Sequence, residues 1–331
     1  MCVRLPVPAR EEAQQREHEH HDQDDPEDAH AVDASLRVFL IMCFRRTQRR
    51  TARSRYAGKR KRHRGGSEEL TGSTPNRHRS ASPGPVIRDN TGSVRDNLLL
   101  CELHAHTTWS DGTLSVAELV DLYGGRGFDV LVITDHTVTL DDPMPSSVDQ
   151  WTWPAYTTCV RDEGDRAARE YGLLVLTGLE LTDNRADPDL SAHALAVGLP
   201  SFVSIDSGLT AALEDARDAG AAVVAAHPSS SEDPLPRRPT RRFHREHTTL
   251  RHLVHRYELF NRHETFAWVA EERLPPVATG DFHRTDHLPS WKTLLRCEQD
   301  AEAVVACLRS NARVYLTPYA VDERVVETLA A

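Results

Sequence analysis

From Leu98 onward, short apolar runs alternate with helix-like segments, and most of those runs carry a histidine, aspartate or glutamate at one end. The runs at 98–103, 128–133, 173–176, 193–198, 221–226, 257–260, 277–279 and 314–316 have the length of strands. Helical patterns lie between or after them at 115–126, 160–171, 206–219, 265–272 and 301–310. This rhythm predicts a parallel sheet or barrel, with an α/β barrel preferred. In such folds the ends of the strands present functional side chains.

The polar ends follow one another along the chain. The first run closes on Leu103-His104-Ala105-His106, and two-residue alternation points both imidazoles to the same side. Asp111 stands in the turn-like Trp109-Ser110-Asp111-Gly112. The second run closes on Thr134-Asp135-His136, the third reaches Glu180, and the fourth begins at His193. His227 ends the fifth run, and Gly280-Asp281-Phe282-His283 ends a late one. Each of these residues alone has an ordinary reading as a cap, turn or buried polar group. Nine imidazoles and carboxylates gathered at strand ends would be costly to bury without cations.

Charge supports the same reading. The net charge of −10 divides unevenly: residues 1–35 hold 10 acids and 3 bases, residues 36–95 hold 16 bases and 3 acids, and residues 96–331 are left at −16. That acidic part also holds 12 of the 18 histidines. Solvated surface carboxylates would give the same charge, so composition raises the cation reading without establishing it.

Residues 1–95 are too poor in apolar side chains to offset the entropy of ordering, and are expected to be a disordered acidic-then-basic segment ahead of a catalytic domain at 96–331. A misassigned start codon upstream of the folded part is an expectation of the same kind. The basic run at 59–64 is read first as a solvated tail and second as a contact for nucleic acid. The mean hydropathy of −0.52, with no apolar run near the roughly 20 residues of a membrane span, predicts no transmembrane helix. The six cysteines form no C-x-x-C pair, which fits free thiols and a cytoplasmic setting. Residues 229–247 combine Pro234, Pro236 and Pro239 with Arg237, Arg238, Arg241, Arg242 and Arg245, and are expected to be a basic loop.

Taken together, His104-x-His106-Thr107-x-x-Ser110-Asp111-Gly112, Thr134-Asp135-His136, Glu180, His193, His227 and Asp281-x-His283 resemble the PHP (polymerase and histidinol phosphatase) family over about residues 98–320. The resemblance implies a distorted (β/α)7 barrel with two or three divalent ions, zinc, manganese or iron, at the strand ends. It places His104, His106, Glu180 and Asp281 around one metal. Glu180 would bridge to a second ion held by His193 and His227, and Asp111, His136 and His283 would hold a third. A metal-bound hydroxide held by Glu180, His193, His227 and Asp281 would then be the nucleophile. The chain departs from the family's common G-S-D-x-H form, because Gly280 directly precedes Asp281 where a serine is usual.

The expected reaction is hydrolysis of a phosphate ester, first of a small molecule such as histidinol phosphate or a nucleotide. Two alternatives stand beside it: a nucleic-acid phosphodiesterase or exonuclease, and a non-catalytic metal-stabilised interaction module. Arg185, Arg262 and Arg284 lie near ligand-bearing strand ends and are candidates for binding phosphate. Asp135, facing away from its neighbour His136, is expected to orient ligands and not to be one.

Overall fold

The computed structural model describes residues 98–233 and 240–320. Expectations for residues 1–95, and for Arg237 and Arg238, lie outside the described residues. The strands are β1 (Leu99–Glu102), β2 (Val130–Ile133), β3 (His136–Val138), β4 (Leu174–Asp183), β5 (Ala192–Val197) and β6 (Ala222–Ala226). They continue as β7 (Arg256–Asn261), β8 (Glu264–Thr265), β9 (Pro276–Thr279), β10 (Ser290–Leu295) and β11 (Tyr315–Tyr319). The helices are α1 (Val116–Gly124), α2 (Trp153–Glu170), α3 (Leu209–Asp218), α4 (Arg242–Arg245), α5 (His247–Leu250), α6 (Ala267–Glu271) and α7 (Ala301–Arg309).

All eleven strands join one sheet, ordered β11-β10-β1-β2-β4-β5-β6-β7-β8, with β3 on β4 and β9 on β7. The sheet curls. Beyond β9, Phe282 bridges to Ala105 beyond β1, through His106 N–H to Phe282 O at 2.7 Å and Phe282 N–H to His104 O at 3.0 Å. The all-parallel expectation is corrected: β5 runs antiparallel to both β4 and β6, and β10 runs antiparallel to β1 and β11. The fold is mixed α/β.

Alternation along each strand sorts side chains onto two faces. One face meets the helices, where Leu131, Ile133, Leu179, Leu181, Val223 and Ala225 pack with Leu119, Val120, Tyr156, Val160 and Leu213. The other face is turned inward, where Cys101, Val130, Val132, Leu176, Leu195, Val224, Val277 and Leu295 meet one another and Val304, Cys307 and Leu308 of α7. At roughly 25 cal/mol per Å² of apolar area, these layers dominate the stability of the domain.

Local signals explain most boundaries. Ser115 and Glu118 form a reciprocal capping box that starts α1 where its periodicity begins. α2 begins well before the expected 160, because Pro154 favours a first turn and Trp153, Tyr156, Val160 and Ala167 make one buried stripe. β10 was not expected at all: its alternation is hidden by Lys292, a fully buried lysine. The loop expected over 229–247 contains α4 and leads into α5, since buried Phe243 and Leu250 anchor short turns amid the arginines. No described helix is long and apolar enough to cross a membrane.

Candidate metal centre

On β4 the inner row reads Leu174, Leu176, Gly178, Glu180, so the face that is apolar at one end becomes a carboxylate at the other. On β5 the same row reads Val197, Leu195, His193 in the opposite chain direction. Because the two strands are antiparallel, with His193 registered beside Thr182, the start of β5 reaches the same end of the sheet as the finish of β4. His104 and His106 follow β1, His136 opens β3, His227 follows β6, and Asp281 and His283 follow β9. The curl brings these ends together.

Glu180 sits in the middle. Its Oε2 lies 3.4 Å from His104 Nε2 and 3.3 Å from His106 Nε2, and Asp281 Oδ1 lies 3.4 and 3.5 Å from the same two nitrogens. A cation held tetrahedrally at about 2.0–2.1 Å sets its ligand atoms about 3.3–3.4 Å apart. His104 Nε2, His106 Nε2 and Glu180 Oε2 are buried with no hydrogen-bond partner. Such orphaned groups are costly unless something else satisfies them, and a divalent cation meets all of them at once. The donor set fits the metal.

The other candidates surround this group. Glu180 Oε1 meets His193 Nδ1 at 3.0 Å and His227 Nε2 at 3.1 Å, and Oε2 meets His136 Nδ1 at 2.9 Å. Asp111 Oδ1 is 3.3 Å from His283 Nε2 and 3.5 Å from His136 Nε2. Three overlapping sets therefore have all their ligand atoms within 4.8 Å of one another: His104, His106 and Asp281; His136, Glu180 and His193; and His106, Asp111, His136 and His283. All nine residues singled out in the sequence are brought together. The cluster opens to solvent on one side, where the Asp111 side chain is 41% exposed.

Electrostatics suit cation ligands. Against the cost of burial, the charges of His136, His104 and His193 hold the Glu180 carboxyl well below the usual carboxylate range. Asp281 is likewise held down by His104, His106 and His283 despite its burial. Burial, reinforced by the neighbouring His283 and His136, pushes His106 well below the ordinary imidazole value. Burial opposes protonation of His104 too, but the charges of Asp281, Glu180 and Glu258 raise it.

Backbone strain is concentrated here. Of the four described non-glycine residues with positive φ, His227 (30°), Arg262 (51°) and Asp281 (41°) belong to the cluster or touch it.

The three arginines divide. Arg262 donates from Nη2 to Asp281 Oδ2 at 3.0 Å and from Nε to Asp281 O at 3.1 Å, at the edge of the centre. Arg185 pairs with Asp183 at 2.6 Å, three residues beyond Glu180. Arg284 instead forks onto the exposed Asp286, and its described contacts do not include the cluster. Asp135 is no ligand in this arrangement. Its carboxylate accepts from Thr107 N–H and Ser110 Oγ–H at 2.8 and 2.6 Å, which fixes the loop that carries Asp111.

Sequence reasoning missed the residues that aim the ligands. Buried Glu258 accepts from His104 Nδ1–H at 2.9 Å and from His227 N–H at 2.6 Å, leaving His104 Nε2 for the centre. The signal was a lone acid inside the apolar run Tyr257-Glu258-Leu259-Phe260. Asn184 Oδ1 meets His193 Nε2 at 3.0 Å, and Thr182 Oγ1 meets His136 Nδ1 at 2.7 Å.

No protein-family model matches the chain. Among solved structures, a two-domain protein of Bacteroides vulgatus containing a predicted PHP-like metal-dependent phosphoesterase aligns with 20% identity and a TM-score of 0.50. The match covers 67% of this chain and 65% of that one. This chain has a PHP-like fold. An amidohydrolase from Chromobacterium violaceum aligns at 15% identity over 55% of this chain and 87% of its own, with a TM-score of 0.40. Among curated proteins, a 5′-3′ exoribonuclease of Haemophilus influenzae is 34% identical over 83 residues, 25% of this chain and 23% of that protein. The chain thus spans less than two thirds of the Bacteroides protein and about a quarter of the exoribonuclease, so the resemblance of the PHP-like region stops short of either whole protein.

Proposed function

We propose that this chain is a hydrolase, a metal-dependent phosphoesterase that cleaves a small phosphomonoester such as histidinol phosphate or a nucleotide. The observation that carries the reading is the set of His104, His106, Glu180 and Asp281 atoms, in which each of the two imidazole nitrogens lies 3.3–3.5 Å from each of the two carboxylate oxygens, and both nitrogens and Glu180 Oε2 are buried with no hydrogen-bond partner. Divalent ions, two or three of zinc, manganese or iron, would supply Lewis-acid polarisation of the phosphoryl group and a nucleophile from water at neutral pH. In this reading His104, His106, Glu180 and Asp281 would hold one ion, Glu180 with His193 and His227 would hold a second, and Asp111, His136 and His283 would hold any third.

The chain's own residues do the remaining work. Glu180 and Asp281 stay ionised through the surrounding imidazoles, so they offer full negative charge at neutral pH. Glu258 keeps His104 turned with Nε2 toward the centre. Arg262, bonded to Asp281 at the rim, brings positive charge to where a phosphate would enter, and Arg185 stands beyond Glu180 as a further contact. The open side at Asp111 and His283 admits the ester. Arg284 belongs to the substrate only if it leaves Asp286.

A second reading, hydrolysis of nucleic-acid phosphodiesters, is favoured by the stretch shared with the exoribonuclease. One experiment separates them. Metal content of the purified protein is measured beside phosphate release from histidinol phosphate, nucleoside mono- and bisphosphates, and short oligonucleotides. Turnover lost in His104→Ala and confined to monoesters supports the first reading; shortening of oligonucleotides supports the second. Neither bound metal nor turnover after reconstitution would overturn both.

A further inference from the structure

Directly behind the centre lies a second pair of charges that the reaction does not call on. Glu102 on β1 and Lys292 on β10 are both fully buried, with Lys292 Nζ 2.6 Å from Glu102 Oε2. Tyr123 of α1 donates to the same oxygen at 3.1 Å, and Ser290 Oγ takes another bond from Lys292 at 2.5 Å. Burying such a pair gains little stability over apolar side chains of equal volume. Its retention calls for another reason.

The other carboxylate oxygen supplies one. Glu102 Oε1 accepts from the backbone N–H of Leu103 at 3.1 Å, His104 at 3.2 Å and Gly280 at 2.8 Å. One oxygen therefore grips the two segments that carry His104 and Asp281, segments more than 170 residues apart in the chain. The Ala105–Phe282 bridge joins the same segments just beyond. The pair also accounts for the departure at 280. A Cβ there would run into Glu102 Oε2 and Lys292 Nζ and come within 3.1 Å of Ser290 Oγ. Those side-chain ends are sealed and bonded to each other, so a side chain at 280 would have to displace the pair.

We propose that Glu102, neutralised by Lys292, is a positioning residue that sets the separation of His104 and Asp281, and that Gly280 is the residue this arrangement requires. The inference rests on the proposed metal centre. It assigns to the buried pair a role in cation affinity separate from folding.

The test uses the full chain loaded with Co²⁺, with affinity read by chelator competition, ligand geometry by the visible spectrum, and folding by thermal melting of the metal-free protein. Glu102→Met with Lys292→Met removes the grip without leaving a buried charge, and should weaken binding about 10–100-fold with an altered spectrum. Glu102→Gln with Lys292→Met keeps an accepting oxygen, and should hold affinity within about threefold of the parent chain with its spectrum unchanged. If the methionine pair does not fold, Gly280→Ala carries the test and should show the same loss. Parent-like cobalt binding in the methionine pair or in Gly280→Ala would overturn the inference, as would equal losses in the glutamine and methionine pairs. A parent chain that binds no cobalt overturns the metal centre itself, and this role with it.

Discussion

Glu180 and Arg256 are both sealed from water, yet they are satisfied in opposite ways. Arg256 opens β7, and its guanidinium donates to four carbonyls, those of Leu308, Cys307, Ser310 and Ala312, at 2.6–3.1 Å. It thereby binds the C-terminal end of α7, where carbonyls lack helical partners and a cation is favoured. Glu180 faces imidazoles, and its Oε2 has no hydrogen-bond partner although five histidines lie around the carboxylate. One region is closed by its own backbone. The other is a donor set that the chain leaves for something else to complete, which is how a structural charge differs from a site.

That contrast predicts which readout each change will move. The largest effect belongs to Glu180, because it meets five of the cluster's imidazoles. Glu180→Gln should lower phosphate release about 10³-fold, equivalent to about 4 kcal/mol in the barrier, and steady-state assays with metal content measured alongside will check it. If the melting temperature of the metal-free form fell while metal loading and turnover held, Glu180 would be an Arg256 after all.

Stripping divalent ions with a chelator should abolish turnover and lower the melting temperature by about 5–10 °C, for ions present at about 100 times their Kd. Restoring the ions should reverse both. Arg256→Met should do the reverse of Glu180→Gln. It should destabilise the fold by about 2–3 kcal/mol in denaturant titrations, because it strands the carbonyls of α7. Cation affinity should stay within about twofold, since Arg256 makes no contact with the cluster.

A smaller effect sharpens the boundary between the regions. Glu258 is as buried as Arg256 and as fully bonded, but its partner is His104. Glu258→Gln should therefore cost about tenfold or more in cation affinity, read by competition with a colorimetric chelator. The smallest effect lies beside Arg256. Burial, followed by the charge of Arg217, pushes His255 down to about 4 from its ordinary 6.5. The unfolded chain takes up that proton first, so the contribution is complete above pH 6.5 and is lost as pH falls toward 4. Melting of the metal-free protein should drop across that window by about 1 kcal/mol more than in His255→Gln, allowing for solvent screening at this half-buried ring.

Much of the centre was legible in the chain because ligand chemistry admits few residue types and strand ends are marked by the loss of apolar character. His104 and His106 needed only the period of a strand to be set on one side. His193 is different. It begins its run, and in the parallel sheet expected from the β-α rhythm it would have stood at the far end from Glu180. The antiparallel turn between β4 and β5 is a tertiary choice, fixed by pairing Thr182 with His193 and Ala194 with Leu181. Local sequence carries no direct mark of strand direction.

The sequence by itself determined the candidate set of imidazoles and carboxylates, most of the short strands with their intervening helices, and the helix starts that capping and proline control, since each follows from local chemistry or spacing. Only the tertiary structure decided that β5 and β10 run antiparallel, that Arg262 turns to Asp281 while Arg284 turns to Asp286, and that Glu102, Glu258 and Lys292 stand behind the ligands. A buried lysine or glutamate reads from the chain as a surface charge. What makes it interior is the partner that folding brings to it from elsewhere in the sequence.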